Sequence, residues 1–187
     1  IFYTACCGGQ SELASEVWPR AQDQPFLTRR KDAACRQLPE WTSEIAATEL
    51  LRALRAAGFR GDRIRNLRVA RRSASGRASV LSIDGLDPGE ITGDDLRVAV
   101  GRTLGWQLLK STAFDLKRTP SGYRFTGRGS GHGVGLCVVG SARMAAEGKS
   151  AAKILAEYFP GTKIARLADV KTTPPAAAGP GTSRPGA

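Results

Sequence analysis

Five glycines stand at alternate positions in Gly127-Arg-Gly-Ser-Gly-His-Gly-Val-Gly-Leu-Cys137, and no other stretch constrains this chain so strongly. Glycine reaches backbone conformations that other residues avoid, and it lets a ligand come close to the main chain. The run also holds the single histidine, His132, and one of four cysteines. An imidazole titrates near neutral pH and ligates metals. The combination reads as a functional loop. The plainer reading is a glycine-rich turn with a satisfied histidine.

The segments around the loop alternate between strand and helix patterns. Ile1 to Ala5 predicts a strand, and Gly8 to Arg36 an irregular stretch broken at Trp18-Pro19 and Gln24-Pro25. Thr42 or Ser43 is expected to cap a helix in which Ala47, Leu50, Leu51 and Leu54 share a face, closed by Gly58. The run from Ile64, with Ser73-Ala-Ser-Gly76 as turn, predicts a hairpin into Ala78 to Asp84. Thr92-Gly-Asp-Asp95 reads as a capping box, with Asp in place of Glu, before a helix over 96–101. Phe114 to Arg118 and Gly122 to Phe125 predict a second hairpin, which leads into the His132 loop. Ala142 to Gly148 predicts a short helix, Ser150 caps another from Ala151 to Phe159, and Thr162 to Ile164 turns extended again. The expected fold class is therefore α+β, mixed, with largely antiparallel strands and hairpins and short helices. Residues 1–168 form the expected domain. Residues 169–187, rich in Pro, Ala and Gly, read as a disordered tail.

Composition matters at two points. A chain of 187 residues, 41% hydrophobic, can bury a sizeable core. No run approaches the roughly 20 apolar residues that a transmembrane helix needs. The net charge of +11 comes largely from arginines such as Arg63, Arg65, Arg68, Arg71, Arg72 and Arg77 on the first hairpin. Aromatics are 6% of the chain and none interleaves with these arginines, which argues against nucleic-acid binding. A solvated face, or a basic surface steered toward an anionic cell envelope, fits the pattern.

The order of motifs resembles the SpoIID/LytB family, the stage II sporulation protein D-like peptidoglycan enzymes and amidase enhancers. The likeness rests on GRGSGHGVGLC followed by GSARMAAEGKSAAKILAEYFPGTKI. Cys7-Gly-Gly-Gln-Ser-Glu12, Val17-Trp18, Ile91-Thr-Gly93 with Leu96-Arg97, and Lys110-Ser-Thr-Ala-Phe114 extend it upstream. It covers residues 2 to 166 or so. Two departures stand out. Val138 and Val139 replace the family's Gln and aromatic, and the family's N-terminal portion, with a Glu in a Glu-Met-Pro-like segment, has no counterpart here. The resemblance thus implies that this chain is the C-terminal part of a larger SpoIID-like domain, with the principal catalytic acid upstream.

The resemblance implies peptidoglycan remodelling in the cell envelope, periplasmic or extracellular. In the parent protein that would be glycan-strand cleavage by a lytic transglycosylase route. A carboxylic acid protonates the bridging oxygen, and a substrate hydroxyl closes an anhydro ring. One carboxylate suffices there, where ordinary glycosidases use two. Glu12, at a position often Glu in the family, is the candidate acid within this chain. His132, Ser111, Thr112, Gly131 and Gly133 are candidate glycan contacts. Trp18 and Trp106 offer flat apolar faces for sugar rings, against the commoner use of tryptophan in cores. The alternative is a non-catalytic, wall-binding enhancer of an N-acetylmuramoyl-L-alanine amidase.

The cysteines give a second chemical signal. None of Cys6, Cys7, Cys35 and Cys137 forms a Cys-x-x-Cys pair. On a strand, Cys6 and Cys7 point to opposite faces, so one of them is expected to meet Cys35 and Cys137. Cys7 is favoured, because the family often has Ser or Cys beside these glycines and some members bind zinc through Cys and His. Cys7, Cys35, Cys137 and His132 would then complete a tetrahedral zinc site. Disulfides in an exported protein, or buried free thiols, are the alternatives.

Overall fold

The computed structural model describes residues 2–166, so the expected tail at 169–187 lies outside the described residues. In chain order the elements are β1 (Tyr3–Thr4), α1 (Ala14–Val17), α2 (Ala33–Arg36), β2 (Trp41–Ala46), α3 (Ala47–Ala56), β3 (Asn66–Arg72), β4 (Ala78–Asp84), β5 (Glu90–Thr92), α4 (Gly93–Leu104), β6 (Phe114–Arg118), β7 (Gly122–Gly127), β8 (Leu136–Cys137), α5 (Val138–Ala146) and α6 (Ala151–Tyr158). The class is α+β, as expected.

Both predicted hairpins form. β3 and β4 pair antiparallel, with Leu67 opposite Ile83 and Val69 opposite Leu81, and β5 joins the outer side of β4. β6 and β7 pair antiparallel, with Leu116 opposite Phe125, and β2 completes that sheet with Trp41 opposite Gly127. The third sheet is a short parallel pair, β1 with β8, which sets Tyr3 beside Leu136 and Thr4 beside Cys137. It ties the first residues of the chain to the end of the glycine loop.

Helix α3 starts later than its pattern suggests. Thr42 and Ser43 lie in β2, because Trp41 and Ile45 are buried at strand spacing with the half-buried Ser43 on the same face, while Thr42 and Glu44 face outward. Leu50, Ala53 and Leu54 then bury one helical stripe. The helix closes with the Phe59 amide on the Leu54 carbonyl and the Gly58 amide on Arg55, with Gly58 at φ +97°. This is a Schellman end, and the left-handed conformation at its centre calls for glycine. Thr92 is the N-cap of α4, as the capping box predicts: its Oγ1 accepts from the Asp95 amide at 3.1 Å, and the helix runs past the expected 96–101 at both ends. Helix α5 also begins early, directly after β8, with Cys137 as its N-cap.

Three apolar clusters result. The largest joins the two three-stranded sheets to α3 and α4 through Leu50, Leu54, Leu81, Ile83, Leu96, Val100, Tyr123 and Phe125. A second packs Met144, Ile154 and Tyr158 around all four cysteines. A third, Ala14, Val17, Leu27 and Val134, sits under the glycine loop. The candidate site lies where the clusters meet.

Candidate functional site

The alternating glycines are explained by close backbone approach. Gly129, Gly131, Gly133 and Gly135 all have positive φ, at +74°, +97°, +87° and +77°. A Cβ on each would meet, in turn, the Cys6 carbonyl at 2.6 Å, Thr4 Oγ1 at 2.5 Å, the Arg77 guanidinium at 2.6 Å and the Phe2 carbonyl. The loop therefore runs against residues 2 to 8 and Arg77, and every second residue must be bare to let it. Cys6 and Ser130 exchange backbone hydrogen bonds of 3.0 and 2.8 Å, and the Leu136 amide donates to the Phe2 carbonyl at 3.0 Å. The Gly131 amide donates to Lys110, and the Gly133 amide to Thr4 Oγ1. The loop is thus built into the fold as well as placed at its surface.

His132 Nδ1 accepts from the Val134 amide at 3.0 Å. Burial pushes its pKa below the ordinary value, and the nearby Arg97 and Arg77 act in the same sense against Asp94. The Nδ1 acceptor role and the burial of His132 both favour the neutral ring. Its ring lies 4.9 Å from that of Trp18, whose Nε1 donates to Asp94 Oδ2 at 3.2 Å. Asp94 pairs with Arg97 at 2.9 Å, and the Arg97 guanidinium sits 5.6 Å from the centre of the Trp106 ring. Trp106 is 51% exposed. His132, Trp18, Asp94, Arg97 and Trp106 thus form a continuous strip of flat rings and polar groups. The Asp94–Arg97 link comes from one turn of α4, a spacing visible in sequence but common on exposed helices.

Ser111 and Thr112 are buried behind the loop. Ser111 Oγ donates to the Arg128 carbonyl at 2.6 Å and accepts from the Ala113 amide, while Thr112 Oγ1 accepts from Arg77. Their hydroxyls are already occupied by partners in the chain.

Glu12 is 1% exposed. Its backbone amide donates to the Gly133 carbonyl at 2.9 Å. Its carboxylate accepts from the Ser73 and Ser75 hydroxyls, from Arg29 Nε at 2.9 Å and from the Leu13 amide at 2.9 Å. Burial alone would raise its pKa, but these four donors outweigh burial and hold it below the usual carboxylate range. Glu12 is an ionised brace between the glycine loop and the turn of the first hairpin.

The cysteines come together in a set other than Cys7, Cys35, Cys137 and His132. Cys6, which sequence reasoning passed over, pairs with Cys35 as a disulfide, and Cys137 Sγ lies 3.1 Å from Cys35 Sγ. Cys7 and Cys137 remain thiols. Two buried groups share Cys137: Cys6, Cys35 and Cys137, and Cys7, Asp32 and Cys137, each with its ligand atoms within 4.8 Å. His132 belongs to neither. Both neighbours meet the cluster because Cys6 is held to Ser130 by a bridge while Cys7 turns inward at Gly8, φ +72°. The strand rule of opposite faces ends before that point. Cys137 Sγ accepts from the Cys7 and Gly140 amides, each at 3.4 Å. The Cys7 thiol bonds to the Cys137 sulfur, which raises the Cys7 pKa and lowers that of Cys137. Asp32 accepts from the Tyr158 hydroxyl at 2.6 Å. Buried sulfur ligands with one carboxylate are a donor set that a soft divalent metal accepts.

Comparison with known proteins adds the family. A model for a domain of unknown function, DUF8618, matches residues 14–135, and the chain belongs to that family. It is 32% identical over 164 residues to an uncharacterized protein of Brachyspira hyodysenteriae, covering 87% of this chain and 42% of that protein. It is 37% identical over 70 residues to the amidase enhancer of Bacillus subtilis, covering 37% of this chain and 9% of the enhancer. The chain thus spans less than half the length of either relative. No helix among the described residues is long and apolar enough to cross a membrane.

Proposed function

We propose that this chain is a SpoIID/LytB-like module of the cell envelope, periplasmic or extracellular, that binds peptidoglycan glycan strands and promotes an N-acetylmuramoyl-L-alanine amidase. The observation that carries this reading is the state of Glu12. Ring-closing glycan cleavage needs a carboxylic acid that keeps its proton near neutral pH. Glu12 is the candidate acid within this chain, the principal acid being expected upstream, and four donors favour its ionised form. The likeness to an amidase enhancer supports the same reading.

In this proposal the strip of Trp106, Arg97, Trp18 and His132 receives the glycan. Sugar rings stack on flat apolar faces, and planar charged groups between them accept or donate to hydroxyls. Gly131 and Gly133 let the loop lie close to the body of the chain, and Ser111 and Thr112 fix its far side. The cysteine cluster stabilises the base of the loop. In the reduced chain we assign it zinc, held by Cys6, Cys35 and Cys137. The metal would supply rigidity there.

The test combines the chain with a wall amidase on intact peptidoglycan and reads both peptide release and sugar products. Faster peptide release with no anhydro-sugar, lost on His132→Ala with Trp106→Ala, is the expected result. Anhydro-sugar from the chain alone would replace this reading with lytic transglycosylase activity. Glycan cleavage by a longer parent protein, using an acid from another segment, is the second reading. It is tested by the same digest on the longer protein.

A further inference from the structure

Arg77 is 2% exposed and lies at the junction of the hairpin, the glycine loop and the cysteine segment. It donates to the Cys7 carbonyl and, at 3.3 Å, to Thr112 Oγ1. Its Nε has no partner, and no carboxylate lies within ion-pair distance of it among the described residues. A guanidinium taken out of water needs a paired opposite charge or a full set of acceptors; Arg77 has no ion-pair partner among the described residues, only the attraction of the more distant Glu12 and Asp94. Sequence places it in a run of surface arginines, and only the fold sets it apart.

Arg77 lines a groove of about 380 Å³ over Gly8 and Gly9, whose other charged walls are Lys31, Arg36, Arg128 and Asp32. Arg128 is neutralised by Glu40 at 2.8 Å. Asp32 turns its carboxylate inward, accepting from the Ala34 and Cys35 amides and from Tyr158. Lys31 and Arg36 are exposed and make no ion pair among the described residues. Gly8 and Gly9 let Arg128 and Arg36 pack close along the groove: a Cβ on Gly8 would meet the Arg128 carbonyl at 3.1 Å, and one on Gly9 would meet Arg36 Cβ at 3.0 Å. A second groove, of about 340 Å³, continues from it past Gly8, Ser75, Ala113 and Arg128. An extended ligand therefore has a path through.

We propose that this groove is an anion site, in which Lys31 and Arg36 grip a carboxylate or phosphate group carried on an extended polymer, over the buried charge of Arg77. It is separate from the Trp106 to His132 strip in its lining residues. The proposal does not rest on amidase stimulation, since binding is read directly. Two sources share the chemistry: the phosphates of an anionic wall polymer and the carboxylates of a peptide-free glycan strand.

The experiment titrates poly(glycerol phosphate) and, separately, peptide-free wall glycan into the isotope-labelled full chain, reading the Gly8 and Gly9 amides by nuclear magnetic resonance. One polymer is expected to shift both amides, and its identity names the source. Lys31→Ala with Arg36→Ala should weaken that binding by about tenfold or more, since both lost contacts are charge-assisted. The control pair Arg63→Ala with Arg68→Ala removes the same charge from exposed positions on and just before β3 and should change it by no more than about twofold. All four residues are exposed, so these variants keep the fold. Unmoved glycine amides with both polymers, or equal losses in the two pairs, would overturn the proposal. Equal losses would mean attraction to net charge alone.

Discussion

Position decides what a glycine is worth in this chain. Gly135 and Gly148 both have positive φ, at +77° and +82°. Only Gly135 faces another backbone, the Phe2 carbonyl, whereas Gly148 opens onto free space. Gly148→Ala should cost about 1 kcal/mol of backbone strain. Gly135→Ala adds a clash that cannot relax without parting β1 from β8, and should cost about 3 kcal/mol or prevent folding. Urea unfolding of both variants checks the difference. Glu12 gives a second expectation, with a pH sign. Its folded pKa lies below the ordinary value of 4.5. The stability it supplies is full above that range and is lost as pH falls through the folded value. Glu12→Gln should lower stability at pH 7 by about 2 kcal/mol, because one or more buried donors lose their acceptor. Its denaturation midpoint should fall less steeply than that of the wild type on acidification below about 4.5.

Helix ends in this chain obey local rules, and their single-residue costs should be additive. Thr92 caps α4 through the Asp95 amide, so Thr92→Ala should cost about 1 kcal/mol. Gly58 centres the Schellman end of α3, so Gly58→Ala should cost about 1 kcal/mol. The double variant should cost about 2 kcal/mol by thermal unfolding, since the two caps share no hydrogen-bond partner. Both ends were legible in the sequence, because a cap depends on residues three or four apart. The start of α3 was not. Thr42 and Ser43 are good caps in isolation, but pairing with β7 competes for them and prevails. Trp41 and Ile45 bury two large side chains in the strand arrangement, which outweighs the single hydrogen bond of a cap.

The cysteine cluster couples distant parts of the fold. It joins the first strand, α2 and the start of α5 through Cys6, Cys35 and Cys137. Reducing the Cys6–Cys35 bond in the presence of a chelator should destabilise the chain by about 3–4 kcal/mol, from the loop of 29 residues it closes. If the reduced thiolates hold zinc, added zinc should restore the melting temperature and metal analysis should find one equivalent per chain. Recovery absent from a Cys137→Ala variant would place the ion at the shared ligand. Unchanged melting with zinc would leave the disulfide as the working state.

The extent to which sequence sufficed follows the range of the forces. Hairpins, caps and the helical stripe of α3 arise between near neighbours, and the glycine run announced a loop that must lie close to something. What it lies close to was not written locally. Residues 2 to 8 meet residues 129 to 135 across the whole chain, and that pairing chose Cys6 as the partner of Cys35. It also left His132 beside Trp18 rather than the thiols, and turned Glu12 from a candidate acid into an ionised brace. Arg77 is the clearest case. The other arginines of its run, Arg63, Arg65, Arg68, Arg71 and Arg72, are exposed, and Arg77 differs from them because Gly133 leaves room for a guanidinium in the interior. Burial, and with it charge state and chemistry, is set by which distant segments pack together, and a residue's type and immediate neighbours do not carry that information.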